Sequence, residues 1–317
     1  MADSSGMTYT QLGSSGLTVS TVGLGTNNFG GRMPDDQVPA VVDAAIKAGI
    51  TLFDTADIYG GGGCSETLLV KALGKKRDDV IVATTFGMDM NGANGPDWGV
   101  RGSRRYIRKA VEASLKRLGT DYIDLYQMHE PDPATPIAET LAALTELVAE
   151  GKVRYIGSSN FTGWQVVDAD WVAATDGSEA FISAQNEYSW LKRDVEKELV
   201  PALEHTGQGL IPFFPLASGL LTGKYRRGEA AAEGTRLAKM PARLEGADWD
   251  RIEALASYAE KHGVSLLDVA IGGLAAMPAV ASVIAGATSV EQVHANARAG
   301  TWVPDEEQLS ELVELTA

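Results

Sequence analysis

Residues 50–60 read ITLFDTADIYG, an apolar run over 50–53 that stops on Asp54 and turns on glycine just after Tyr59. A short β-rich run bounded by turn residues reads as a buried strand, which puts both polar side chains at its carboxyl end. Two later stretches repeat the pattern. VIVATTFG at 80–87 carries Thr85 to a strand end, and IDLYQMHEPD at 123–132 delivers His129.

Outward from these three stretches, short apolar runs alternate with amphipathic helical segments along the whole chain. Strands are expected at 19–23, 51–54, 80–84, 123–127, 153–157, 181–185, 210–213 and 281–284. Such alternation signals a parallel sheet with crossover helices, and eight strands close a (β/α)8 TIM barrel whose chemistry sits at the carboxyl-terminal face. Ser103 precedes the helical stretch RRYIRKAVEASLKRLG, in which Ile107, Val111 and Leu115 lie on one face and Gly119 offers a left-handed cap. Before the first barrel strand, TYTQLGSSGLTVS at 8–20 reads as a hairpin that plugs the amino end. A stretch at 217–246, rich in glycine and basic residues, lacks periodicity and reads as a covering loop.

The chain of 317 residues is read as one barrel domain over 1–317, with residues 1–7 as a disordered leader. A formal charge of −15 disfavours nucleic acid, whose recognition needs basic surface. No apolar run reaches the length of about 18 residues that a membrane helix needs, and no signal peptide is read, so a cytoplasmic protein without a membrane partner is expected. The single cysteine, Cys64, excludes an internal disulfide and reads as an idle thiol. His129, His205, His262 and His294 fall in separate elements without ligand spacing, so no metal site is expected. The GGGG run at 60–63 lacks the lysine of a phosphate loop and reads as a flexible turn after Tyr59.

Taken together, FDTADIYG, VATTFG and LYQMHEPD resemble the active-site segments of the aldo-keto reductases, in the style of the bacterial and potassium-channel β-subunit-like members. The resemblance runs from about Tyr9 to Ala299. It implies a tetrad in which Tyr59 is the proton donor, Asp54 neutralises a lysine and His129 orients the carbonyl. The lysine's position holds Thr85.

The same resemblance implies a nicotinamide cofactor, NADP(H) in preference to NAD(H). Ser159, Asn160 and Gln185 match the residues that bind the carboxamide, and Phe213 replaces a stacking tyrosine. Gly25 and Thr26 follow the first strand; Pro215, Leu216, Ser218, Gly219, Leu221 and Lys224 fall in the diphosphate segment. Gly286, Thr288, Gln292 and Asn296 fall at the adenosine end, where Ser289 and Gln292 read as a capping box. Gly286 and Gln292 stand where family members often carry a lysine and an arginine, and neither supplies charge, as in the members resembling the potassium-channel β subunits. Phe86, Met88, Trp98 and Trp190 are assigned to a substrate pocket for an apolar or sugar-like ring.

The implied activity is NADPH-dependent reduction of aldehydes or ketones, weakened by the absence of a cation beside Tyr59. An engineered change at Thr85 is placed first among its explanations. The alternatives are an imine or iminium reductase on the same site, which needs only hydride, and a non-catalytic NADP(H)-binding redox sensor. Oligomeric state is left open.

Overall fold

In the computed structural model, which describes residues 6–316, the chain opens on an antiparallel hairpin of β1 (Tyr9–Gln11) and β2 (Thr18–Ser20). Eight parallel strands follow: β3 (Val22–Gly25), β4 (Leu52–Asp54), β5 (Ile81–Phe86), β6 (Ile123–Met128), β7 (Val153–Ser159), β8 (Ser183–Glu187), β9 (Gly209–Phe213) and β10 (Val283–Gly286). Consecutive strands are neighbours from β3 to β9, β10 pairs with β3, and a parallel bridge between Leu210 and Val280 closes the ring. The fold is a (β/α)8 barrel, and the expected plug is present. Leu12 and Val19 of the hairpin are buried with Leu52, Ala83, Leu125 and Ile211 inside the amino end.

Two expected boundaries need correction. The run at 19–23 is broken, because Ser20 turns the chain: its hydroxyl donates to the Val22 carbonyl and accepts from the Thr51 amide. Val19 therefore belongs to the plug and Val22 to the barrel. Of the leader expected at 1–7, residues 1–5 lie outside the described residues, while Met7 is buried in the core and is no leader residue. Its apolar side chain contributes more when removed from water than when left in a tail.

Side chains alternate across each strand, and the alternation separates two cores. Phe53, Val82, Phe86, Tyr126 and Met128 point outward and pack under the helices in the larger core. Leu52, Ala83 and Leu125 point inward. Asp54, Thr85 and Gln127 follow each of these by two residues, so they form the next inward layer, toward the carboxyl rim. The helix Arg104–Leu118 illustrates how the outer ring is specified: the Ser103 hydroxyl accepts from the Tyr106 amide at its start, and Gly119 ends it at φ 59°.

Candidate active site

Asp54 ends β4, and the chain then turns through Tyr59 on four consecutive glycines that all have positive φ. Gly60 is required there: at φ +70° its missing Cβ would stand 2.8 Å from the Phe29 carbonyl oxygen. The GGGG run is therefore a conformationally specified turn rather than a flexible one. Behind it lies a buried polar cluster. Glu66 accepts from Thr84 Oγ1 at 2.6 Å and from Arg117 Nε at 2.5 Å, and Asn94 Nδ2 donates to Asp57 Oδ2 at 2.8 Å.

The rim itself is held by short contacts. Gln185 Nε2 donates to Asp54 Oδ1 at 2.8 Å, joining β8 to β4 across the barrel. Thr85 Oγ1 lies 3.1 Å from His129 Nδ1. Asn160 Nδ2 donates to the His129 carbonyl at 2.9 Å and to Ser159 Oγ at 3.1 Å. The rings of Tyr59 and His129 meet edge to face with centroids 6.0 Å apart.

Burial sets the charge states here. Asp54 is pushed up to about 7 by loss of hydration, against the opposing Gln185 bond. Asp57 rises to about 7 for the same reason, reinforced by Glu66. Tyr59 is held well above the ordinary tyrosine value by burial, then by Asp54 and Asp57. Burial lowers His129 to about 4, so its ring is neutral at neutral pH.

A cleft of about 800 Å³ runs from this rim. Asp54, Tyr59 and His129 line it together with Gly25, Asn160, Gln185, Phe213, Pro215, Leu216, Ser218, Gly219, Lys224, Gly286, Thr288, Gln292 and Asn296. Strained backbone clusters along it: Asn160, Phe214, Ala217 and Ser218 all have positive φ, a cost that persists where surrounding structure dictates geometry. The loop at 217–246 contributes one wall, including Thr235, Arg236, Lys239 and Met240. A second hollow, about 760 Å³ between Asp78, Lys116, Tyr122 and Lys152, lies at the opposite, amino-terminal face and holds none of these groups.

Several assigned residues stand elsewhere. Phe86 points outward and stacks on Tyr126 at 4.6 Å between centroids, since it neighbours inward-facing Thr85 on the same strand. Trp190 is fully buried and donates Nε1–H to the Val269 carbonyl at 2.8 Å. Trp98 is 63% exposed on a loop, with the Arg105 guanidinium 3.9 Å over its ring. Met88 is half-buried and does not line the cleft. Of the assigned cofactor residues, Thr26 is buried against Ser65 and the Asp54 carbonyl, Ser159 is buried with its hydroxyl donated to the Gln185 carbonyl, and Leu221 faces the core. Gln292 does not complete a capping box: Ser289 accepts from its amide, but its side chain takes the Thr288 amide instead.

Sequence reasoning missed Asn27, Asn28, Arg32, Phe214, Arg236 and Lys239, all of which line the cleft. The cleft's added cations come from elements other than those of Gly286 and Gln292. Arg236 is crowded by Arg32 and Arg243, its guanidinium lies 5.0 Å over the Phe214 ring, and its buried Nε has no hydrogen-bond partner among the described residues. The basic, aperiodic stretch following β9 was the available signal for Arg236 and Lys239.

Polar side chains gathered at one barrel rim, continued by a long cleft with crowded cations, define an enzyme-type site of the (β/α)8 oxidoreductase class. The chain belongs to the aldo/keto reductase family, whose model matches residues 21–317. It is 38% identical over 294 residues to "uncharacterized oxidoreductase YrpG" of Bacillus subtilis, covering 90% of this chain and 89% of that protein. It is 34% identical over 307 residues to a "probable voltage-gated potassium channel subunit beta" of Oryza sativa, covering 94% and 92%. Versiconal hemiacetal acetate reductase of Aspergillus parasiticus is 35% identical over 291 residues, covering 84% of each. Among the described residues, no helix is long and apolar enough to cross a membrane.

Proposed function

We propose that this chain is an NADP(H)-dependent reductase of small carbonyl compounds, working in the cleft between β4 and β10 below the rate of a site with a lysine beside its tyrosine. The observation that carries the reading is the convergence of Asp54, Tyr59 and His129 on the cleft that also contains Arg32, Arg236 and Lys224. When bound, the reduced nicotinamide supplies hydride.

The residues present fit such a group. Arg32 and Arg236 line the cleft and repel each other, with Arg243 adding to the repulsion on Arg236, unless an anion joins them, and a phosphate is the anion that guanidinium forks match. Arg32 and Arg236 are therefore assigned to the 2′-phosphate and Lys224 to the diphosphate, which favours NADP over NAD. Gln292 and Asn296 are assigned to the adenosine end. Gln185 has one of its two amide hydrogens committed to Asp54, and its Oε1 remains to accept from a carboxamide; Asn160 shares that task, and Phe213 offers a stacking face.

Tyr59 keeps its proton at neutral pH and is the donor to a carbonyl oxygen, with neutral His129 beside it as the orienting group. Its acidity is opposed first by burial and then by Asp54 and Asp57, and Thr85 contributes no charge to offset them. The expected cost is about 10²–10⁴ in rate. Fluorescence titration with NADPH and NADH, followed by stopped-flow oxidation of bound NADPH by an aldehyde panel, tests the reading. NADPH binding with slow turnover that rises at least tenfold (~1.4 kcal/mol) in Thr85→Lys is expected; no aldehyde turnover in either protein defeats it.

A further inference from the structure

Of the four deeply buried carboxylates among the described residues, Glu66 and Asp124 are paired with arginine, while Asp57 takes the neutral Asn94 amide behind the turn. Glu66 faces Arg117 at 2.5 Å, and Asp124 holds Arg77 and Arg154, each at 2.8 Å. Asp54 is as deeply buried, at 4% exposure, yet its one hydrogen-bonded side-chain partner is the neutral amide of Gln185. Among the described residues it enters no ion pair, although it alone of these carboxylates lines the cleft. Thr85 turns its hydroxyl to His129 and to the Thr55 carbonyl. A carboxyl so placed keeps its proton up to about pH 7, and a cation entering by the cleft is the partner that would ionise it.

We propose that Asp54 is the receptor for a positively charged nitrogen, so that the substrate itself, a protonated amine or imine on a ring, brings the cation this rim lacks. The inference rests on the reading of the cleft as a hydride-transfer site and narrows its substrate class. The aromatic ring of Tyr59 lines the same cleft, and such a ring attracts a cationic nitrogen. Reduction of a neutral carbonyl builds negative charge on oxygen beside Asp54. At a protonated imine the charge falls instead: hydride adds at carbon, the C=N pair moves onto nitrogen, and the imine is reduced at the expense of a reduced nicotinamide. No proton is drawn from Tyr59, whose acidity this site suppresses.

The ionisable groups around Asp54 are Tyr59 and Asp57 on the turn after β4 and His129 at the end of β6; Thr85 on β5 and Gln185 on β8 are its neutral neighbours. A cation bound here draws Asp54 into its ionised form, so binding below neutral pH releases a proton. Calorimetric titration of the full chain, saturated with NADP⁺, compares 1,2,3,4-tetrahydroisoquinoline with its uncharged isostere isochroman. The amine is expected to bind about tenfold or more tighter, as a charged hydrogen-bonded pair requires. Asp54→Asn brings it to the isochroman level, Thr85→Lys weakens it by supplying an internal ammonium, and at pH 6 two buffers of different ionisation enthalpy reveal proton release. Equal affinity for the two ligands, or amine binding indifferent to Asp54→Asn in a variant with a cooperative melt, overturns the inference. Saturation with NADP⁺ is measured first and scores the cofactor reading alone; should it fail, the same pair is titrated into the free chain, and Asp54 is still judged.

Discussion

The Thr85 hydroxyl lies 3.1 Å from Nδ1 of His129, tying the ends of β5 and β6 together at the rim. Its alternative acceptor, the Thr55 carbonyl, is longer at 3.4 Å. A threonine hydroxyl has one proton to give, and a neutral imidazole has one nitrogen to accept it. With Nδ1–H donating to a hydroxyl that itself donates to the Thr55 carbonyl, the histidine proton would sit on Nδ1; the shorter contact instead assigns the hydroxyl proton to Nδ1 and so the histidine proton to Nε2. Nitrogen-15 NMR of the ring is therefore expected to show the Nε2–H tautomer in the parent and a mixture in Thr85→Val. Loss of one such bond, about 1 kcal/mol, predicts a fall of about fivefold in any turnover that uses His129 as donor. A parent spectrum dominated by Nδ1–H would reject the assignment.

Asp54 links the site to stability through pH. Its folded-state value of about 7 lies above the ordinary 3.8, so the folded chain holds that proton more tightly than the unfolded one. The resulting stabilisation is complete below pH 3.8 and is lost as pH rises through 7. Roughly three pKa units correspond to an upper bound of about 4 kcal/mol. Asp54→Asn removes the titration while keeping an amide in its place. The variant is expected to melt above the parent at pH 8 and to lose that advantage at pH 4. Parallel melting curves across this range would show that Asp54 is not the titrating group.

Arg236 gives the cofactor prediction its sharpest form. Its Nε is buried without a partner, and its neighbours Arg32 and Arg243 repel it. Arg236→Ala relieves that repulsion, so the chain itself is expected to lose no stability. Affinity for NADPH should fall about 10–100-fold, the worth of a charge-assisted phosphate bond of about 1.5–3 kcal/mol, while NADH binding changes little. Equal losses for both nucleotides would move Arg236 from the 2′-phosphate to the shared diphosphate.

The barrel was legible because strands announce themselves by length, apolar content and turn residues, and Asp54, Thr85 and His129 were legible because each follows such a run. The errors have physical causes. Phe86 was placed in the pocket although it neighbours Thr85, and one residue along a strand reverses the face. Trp190 shows the ambiguity of a lone aromatic beside a strand end: the burial that would suit a pocket wall also suits a core, and its hydrogen bond to the Val269 carbonyl is a long-range contact no local pattern encodes. Arg32 and Arg236 come from two irregular loops 204 positions apart in sequence, 236 against 32, and only the closed ring makes them neighbours. Asp54 and Gln185 meet in the same way across the barrel.

The turn that presents Tyr59 depends on charge balance behind it. Glu66 is fully buried and accepts from Arg117 Nε at 2.5 Å, while Arg117 also donates to Asn94 Oδ1 at 3.2 Å, the residue that holds Asp57. Arg117 thus balances two buried carboxylates, and it packs so closely on Gly63 that a Cβ there would stand 2.1 Å from its Nε. Arg117→Met keeps much of the side chain's volume and removes the charge. Breaking one partner of a buried pair costs about 3–5 kcal/mol, because the remaining carboxylate is left uncompensated. Chemical denaturation of the parent and the variant measures the loss. Replacing both partners, Glu66→Gln with Arg117→Met, is expected to recover more than half of it. If the double variant is no more stable than the single one, the cluster contributes shape rather than charge to the turn, and Tyr59 is positioned by packing alone.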